Sequence, residues 1–136
     1  MTRKHSADTR WFKYDNTNPK QKHTSDCTVR AICSALELSY EEVYKQLFEL
    51  SIKTGYFIND PKNTTKFLKM LGYEWQKQLK HEDGTKYTGK QFCEEFNKGT
   101  YIMHIGSHHI SVVKDGVIHD IWGCSSKCVG KWIKIR

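Results

Sequence analysis

One cysteine and two residues near the C-terminus have the types and spacing needed for nucleophilic catalysis. The sequence predicts Cys27 in the first turn of a helix, where unpaired amides and the helix dipole favour thiolate over thiol. A thiolate nucleophile also needs a base, and a third group that holds the base in the right tautomer. We interpret His109 as the base and Asp120 as the orienting acid.

A predicted hairpin brings His109 and Asp120 together. Asp115-Gly116 is a strong two-residue hairpin signal between two strand-like segments. In that register His109 lies opposite Trp122 and diagonal to Asp120, a separation that long side chains span on one face of a sheet. We therefore expect the two side chains to be in contact.

Two other histidines are close to this pair in the sequence. His108 is the alternative base, and strand parity favours His109 only if the hairpin register is the predicted one. His119 points to the opposite face of its strand, so we expect it at the surface. The choice between His108 and His109 therefore depends on the hairpin.

The residues just before Cys27 have two opposing effects. A carboxylate at Asp26 opposes the formation of a thiolate beside it. Asp26 or Ser25 can also cap the exposed amides of the helix that follows. We interpret Asp26 as a helix cap.

The elements that must position these residues are helices first and a sheet second. Apolar periodicity and capping residues predict a helix over 27–38 and further helices after Ser39, Asp60 and Thr88. Alternating apolar residues predict strands over 73–79, 101–105, 110–113, 117–122 and 129–135. The fold class is therefore α+β, with N-terminal helices packed on a C-terminal antiparallel sheet.

Length and composition indicate one folded domain. The chain has 136 residues, of which 38% are hydrophobic and 12% aromatic, which is far from the composition of a disordered chain. The first ten residues carry no apolar periodicity, so we expect a loose arm over 1–10 and a single domain over 11–136.

Cysteine usage and hydropathy indicate a reducing compartment and no membrane span. Five cysteines at scattered spacings do not form a disulfide framework, and no apolar run approaches the ~18 residues of a membrane helix. Cys124 and Cys128, with His119 nearby, lack the second ligand pair of a zinc site. We predict a cytoplasmic protein with no metal and no cofactor.

Three stretches of the sequence resemble a known family. They are residues 26–32 (DCTVRAI), residues 99–102 (GTYI) and the segment from His109 to Trp122. Together they resemble a family of small papain-like proteins of bacteriophage and bacterial genomes, and the resemblance covers residues 10–135. It implies a compact papain-like cysteine peptidase fold, in the host cytoplasm if the protein is phage-encoded.

Papain-like enzymes also place a Gln or Asn before the nucleophile to hold the oxyanion of the tetrahedral intermediate. The resemblance suggests Gln21 for this role, with Asn16 and Asn18 as alternatives. The chain departs from papain itself in lacking a Cys-Gly-Ser-Cys-Trp-type signature. The 82 residues between Cys27 and His109 are also fewer than the ~130–150 of the papain branch.

Two functions follow from these observations. The first is a cysteine peptidase or isopeptidase that forms an acyl-enzyme on Cys27 with a protein or peptide substrate. The alternative is a non-catalytic scaffold that binds a host protein or nucleic acid through a basic surface. The net charge is +7, but the basic residues are spread over several segments, so a nucleic-acid partner is not favoured.

Overall fold

The computed structural model describes residues 7–136 and contains four helices and five strands. The helices are α1 (Cys27–Leu36), α2 (Tyr40–Thr54), α3 (Pro61–Met70) and α4 (Gly89–Glu95). The strands are β1 (Phe12–Tyr14), β2 (Thr100–Ile105), β3 (His109–Lys114), β4 (Val117–Asp120) and β5 (Val129–Lys134). The predicted α+β class is confirmed.

The five strands form one mixed sheet in the order β1-β4-β3-β2-β5. Four of them pair antiparallel, as the sequence predicts, but β1 pairs parallel with β4. The prediction of a purely antiparallel sheet was therefore wrong. Strand β1 is only three residues long, and its partner lies about a hundred residues away, so no local pattern signals the pairing.

The helix starts follow the local capping signals. Ser39 accepts a hydrogen bond from the amide of Glu42 at the start of α2, and Asp60 accepts one from the amide of Lys62 at the start of α3. Before α4, Thr88 and Gln91 form both hydrogen bonds of a capping box. Short-range polar contacts thus set where α2, α3 and α4 begin.

The predicted strand over 73–79 is absent. Gln76 makes a single isolated bridge to Trp132 of β5. The indole nitrogen of Trp132 donates to the carbonyl of Lys77 at 2.9 Å, and the Gln78 side chain donates to the carbonyl of Val129 at 2.9 Å. Side chains therefore make the contacts with β5 that a continuous ladder of backbone hydrogen bonds would otherwise make.

Apolar residues pack on both faces of the sheet. Neighbouring residues of β2 belong to different clusters: Ile102 packs with α1, α2 and α3, whereas Tyr101 and Met103 pack with Phe92 of α4. Alternate residues of a strand point to opposite faces, so the sheet lies between two helical layers. No helix of the described chain is long and apolar enough to cross a membrane.

Part of the predicted loose arm is described. The carboxylate of Asp8 accepts a hydrogen bond from the amide of Tyr14 at 2.7 Å, and the amide of Thr9 donates to the carbonyl of Phe12 at 2.8 Å. Asp8 and Thr9 therefore contact β1. Residues 1–6 of the predicted arm lie outside the described residues.

Candidate active site

Cys27 is the first residue of α1 and lines an open cavity of about 680 Å³. Amides in the first turn of a helix have no intrahelical partner, and they place partial positive charge beside this side chain. The thiol lies 3.9 Å from the backbone carbonyl of His108. The predicted position of Cys27 at the start of a helix is confirmed.

His109 lies between Cys27 and Asp120. Its Nε2 donates to Oδ2 of Asp120 at 2.5 Å, and its imidazole interacts with the Cys27 thiol strongly enough to lower the pKa of Cys27 and raise that of His109. Because Nε2 is used by Asp120, Nδ1 is the ring nitrogen left for the thiol. The indole of Trp122 packs edge-on against the imidazole, with ring centroids 4.9 Å apart. The structure thus brings the three predicted catalytic side chains together.

The electrostatics of this triad favour a thiolate beside an imidazolium. Burial raises the pKa of Cys27, but the hydrogen bond from His109 and the positive charges nearby outweigh burial and leave the pKa below its ordinary value. Burial lowers the pKa of His109, whereas the hydrogen bonds to Asp120 and Cys27 raise it to about 9. Both shifts favour the thiolate–imidazolium pair over the neutral pair.

Asp120 is buried and fully hydrogen-bonded. Oδ2 accepts from Ser111 Oγ at 2.7 Å in addition to His109, while Oδ1 accepts from the amide of Ile121 at 2.7 Å and from Arg30 at 3.0 Å. Burial raises the pKa of Asp120, and these partners outweigh burial and lower it. The carboxylate stays ionised and fixed in orientation.

The hairpin has the predicted register. Lys114 pairs with Val117, and Val112 pairs with His119. His119 is half-buried and its Nδ1 bonds to Asp15 at 3.2 Å. His108 is exposed and lines the cavity; its backbone carbonyl is the group in contact with Cys27. The geometry therefore favours His109 as the partner of the thiol.

Gln21 is not among the residues that line the cavity. Its side-chain amide donates to the carbonyls of Asn16 at 2.8 Å and Asn18 at 3.0 Å, so it closes the loop instead. The side-chain amide of Asn16 donates to the carbonyl of Lys22, and that of Asn18 donates to the carboxylate of Asp26. This geometry does not support the assignment of Gln21, or of its two alternatives, to the oxyanion.

Asp26 does not cap α1, contrary to the prediction. Its side chain makes no capping hydrogen bond. Oδ1 accepts from Nε of Arg30 at 2.8 Å, and Oδ2 accepts from Tyr40 at 2.8 Å and Asn18 at 3.1 Å. The one sequence signal for Arg30 is its spacing of four residues from Asp26, which on a helix is that of an ion pair.

Three side chains of the described residues lie close enough to share a metal ion, namely His109, Asp120 and Cys124. His109 and Asp120 are hydrogen-bonded directly, which leaves no space between their facing atoms for an ion. Burial raises the pKa of the Cys124 thiol to about 12. The short contact between His109 and Asp120 is that of a shared proton.

The chain matches no protein-family model, no curated protein and no solved structure. Any function must therefore be argued from the geometry of the cavity.

Proposed function

We propose that the protein is a cysteine hydrolase of the papain-like type, with Cys27 as nucleophile, His109 as proton carrier and Asp120 as orienting acid. The observation that carries the proposal is the chain of contacts from Cys27 to His109 to Asp120 beside an open cavity. A thiol at a helix start, bonded to an imidazole that a buried carboxylate orients, is the arrangement that nucleophilic catalysis needs.

In the proposed reaction the Cys27 thiolate attacks a substrate carbonyl carbon, and the π electrons move to the oxygen. The tetrahedral intermediate collapses when the leaving amine takes the proton from Nδ1 of His109, which leaves a thioester on Cys27. Neutral His109 then removes a proton from water as the water attacks the thioester. The acid product leaves and the Cys27 thiolate and imidazolium are restored.

The cavity walls suggest the chemistry of the substrate. Phe57 and Trp122 are exposed at the cavity, and Ile121 adds further apolar surface. The carboxylate of Asp60 accepts the amide of Lys62, and the guanidinium of Arg30 is held by two carboxylates. We therefore expect an uncharged, apolar side chain beside the scissile bond of a peptide or isopeptide substrate.

Alkylation of single cysteines tests the proposal. With iodoacetamide at pH near 6, Cys27 should label faster than Cys33 and Cys93, because burial raises the pKa of both other thiols. Replacing His109 with alanine should remove much of this advantage. His108→Ala is the matched control and should leave it intact. Site-resolved mass spectrometry of the alkylated peptides measures each rate.

Two results would contradict the proposal. If Cys27 labels no faster than the other cysteines at acidic pH, the thiol is not activated. If His108→Ala slows the labelling as much as His109→Ala, the assigned base is wrong. A non-catalytic scaffold predicts the first result, together with full retention of any binding activity in Cys27→Ala.

A further inference from the structure

Arg30 is a buried cation that joins two buried carboxylates. Its Nε donates to Asp26 at 2.8 Å and its terminal nitrogen donates to Asp120 at 3.0 Å. The exposed fractions of the three side chains are 7% for Arg30, 6% for Asp26 and 1% for Asp120. Water therefore does little to screen these charges, and each acts strongly on its neighbours.

Each carboxylate is next to one member of the proposed catalytic pair. Asp26 immediately precedes Cys27 in the chain, and Asp120 is bonded to His109. A negative charge beside Cys27 disfavours the thiolate, whereas a negative charge beside His109 favours the imidazolium. The site therefore needs the charge of Asp120 and is hindered by that of Asp26.

We propose that Arg30 is a positioning residue for this site: it cancels the charge of Asp26 beside the nucleophile and holds Asp120 toward His109. The inference rests on the proposed function. It also explains why an acidic residue is tolerated next to Cys27, because Asp26 anchors the guanidinium that Asp120 requires.

The geometry fits arginine better than lysine. The two hydrogen bonds come from different nitrogens of the guanidinium, Nε and a terminal one, and reach Asp26 just before α1 and Asp120 on β4. A lysine ammonium is a compact charge on a flexible chain and lacks this fixed fork. The positive charge of Arg30 also contributes to the lowered pKa of Cys27.

Oδ2 of Asp26, the oxygen that does not accept from Arg30, has other hydrogen-bond donors. Tyr40, the first residue of α2, donates its hydroxyl to Oδ2 of Asp26 at 2.8 Å. Burial and the hydrogen bond to Asp26 raise the pKa of Tyr40, so it remains a neutral donor.

The other titratable and charged groups facing the Cys27 cavity are His104 on β2, His108 and His109 at the start of β3, and Asp60 before α3.

The test measures the rate of Cys27 alkylation by iodoacetamide against pH in the folded full-length chain. The pH at which the rate rises reports the Cys27 pKa, and a one-unit increase slows the reaction about tenfold below it. We expect Arg30→Met to move this rise upward by about one pH unit, because the charge of Asp26 is then uncancelled. Asp26→Asn should move it downward, because the charge of Arg30 is then in excess.

The double variant Asp26→Asn/Arg30→Met removes both charges and should bring the rise closer to its wild-type position than Arg30→Met alone does; the displacement that remains measures the lost hydrogen bond to Asp120. A purely structural role for Arg30 does not predict opposite shifts that offset one another in the double variant. Tyr40→Phe is the control, since it removes a neutral donor to Asp26 and should give the smallest shift. Arg30→Lys keeps the charge and should shift the rise less than Arg30→Met does.

Three results would overturn the inference while leaving the proposed function intact. The first is wild-type Cys27 reactivity that depends on His109 but not on Arg30. The second is a shift of the same sign in Arg30→Met and Asp26→Asn, and the third is a double variant displaced as far as Arg30→Met alone. If Arg30→Met does not fold, the sign of the shift in Asp26→Asn decides the question. Failure of the proposed function gives a different result, namely an unreactive Cys27 in the wild-type chain.

Discussion

The two sides of helix α1 are held by different kinds of contact. Ile32 and Ala35 are fully buried in an apolar cluster that includes Val112 of β3. On another side, Arg30 is held by two carboxylates at hydrogen-bond distance. Apolar contacts are non-directional and scale with buried area, whereas a buried ion pair requires both partners in fixed positions.

The difference separates stability from site geometry. The apolar side of α1 fixes the helix against the sheet. A buried side chain there can be replaced by another apolar side chain of similar volume. The charged side determines which oxygen of Asp120 faces His109 and how much negative charge lies near Cys27.

The largest effect is expected on the apolar side. Ile32→Ala removes a side chain with no exposed surface and should lower the free energy of unfolding by about 2 to 5 kcal/mol, because a cavity is left in a packed core. Urea denaturation measures the loss. Ile52→Ala on α2 is the matched control, since Ile52 is 68% exposed and should cost less than about 0.5 kcal/mol.

In the folded fraction of the Ile32→Ala protein, the pH dependence of Cys27 alkylation should be unchanged. A shift in that dependence as large as the one expected for Arg30→Met would show that the two sides of α1 are not separable.

A smaller effect, of up to about 3 kcal/mol, is expected from pH on the charged side. The folded pKa of His109, about 9, lies above its ordinary value of 6.5. The stabilisation from the imidazolium is therefore fully present below pH 6.5 and is lost as the pH rises toward 9. The lowered pKa of Cys27 acts in the opposite direction, so the measurement uses Cys27→Ser.

In Cys27→Ser, the free energy of unfolding should decrease between pH 6.5 and 9, because Asp120 still holds the imidazolium. Adding His109→Gln should abolish this decrease. Equal pH dependence in the single and double variants would mean that His109 does not titrate with a raised pKa in the folded protein.

The smallest effect is expected at the hairpin that brings His109 to Asp120. Gly116 has φ +77°, and an added Cβ would lie 3.0 Å from the carbonyl of Cys93. Gly116→Ala should therefore cost about 1 kcal/mol or more, from backbone strain and from the close contact. Gly84→Ala is the control, because Gly84 also has a positive φ but no atom within 4 Å of the added Cβ.

Thermal unfolding compares the two glycine variants. Equal destabilisation would indicate that the contact with Cys93 does not constrain the turn.

Most helix starts and the central hairpin could be predicted because their signals are local. Asp115-Gly116 sets a two-residue turn, and the residues on either side then pair in one register. The same register predicts the contact between His109 and Asp120. Local signals failed for the segment over 73–79, since an alternating pattern does not reveal whether a partner strand has free backbone groups.

The sequence by itself determined the α+β class, the helix start at Cys27 and the hairpin that pairs His109 with Asp120. Only the tertiary structure decided that β1 lies parallel to β4, that Gln21 closes its own loop, and that Arg30 joins Asp26 to Asp120. The physical reason is that turns and caps involve residues a few positions apart, whereas the β1–β4 pairing and the Arg30–Asp120 ion pair join residues distant in the chain. The direction of the Gln21 side chain is set only when its loop packs.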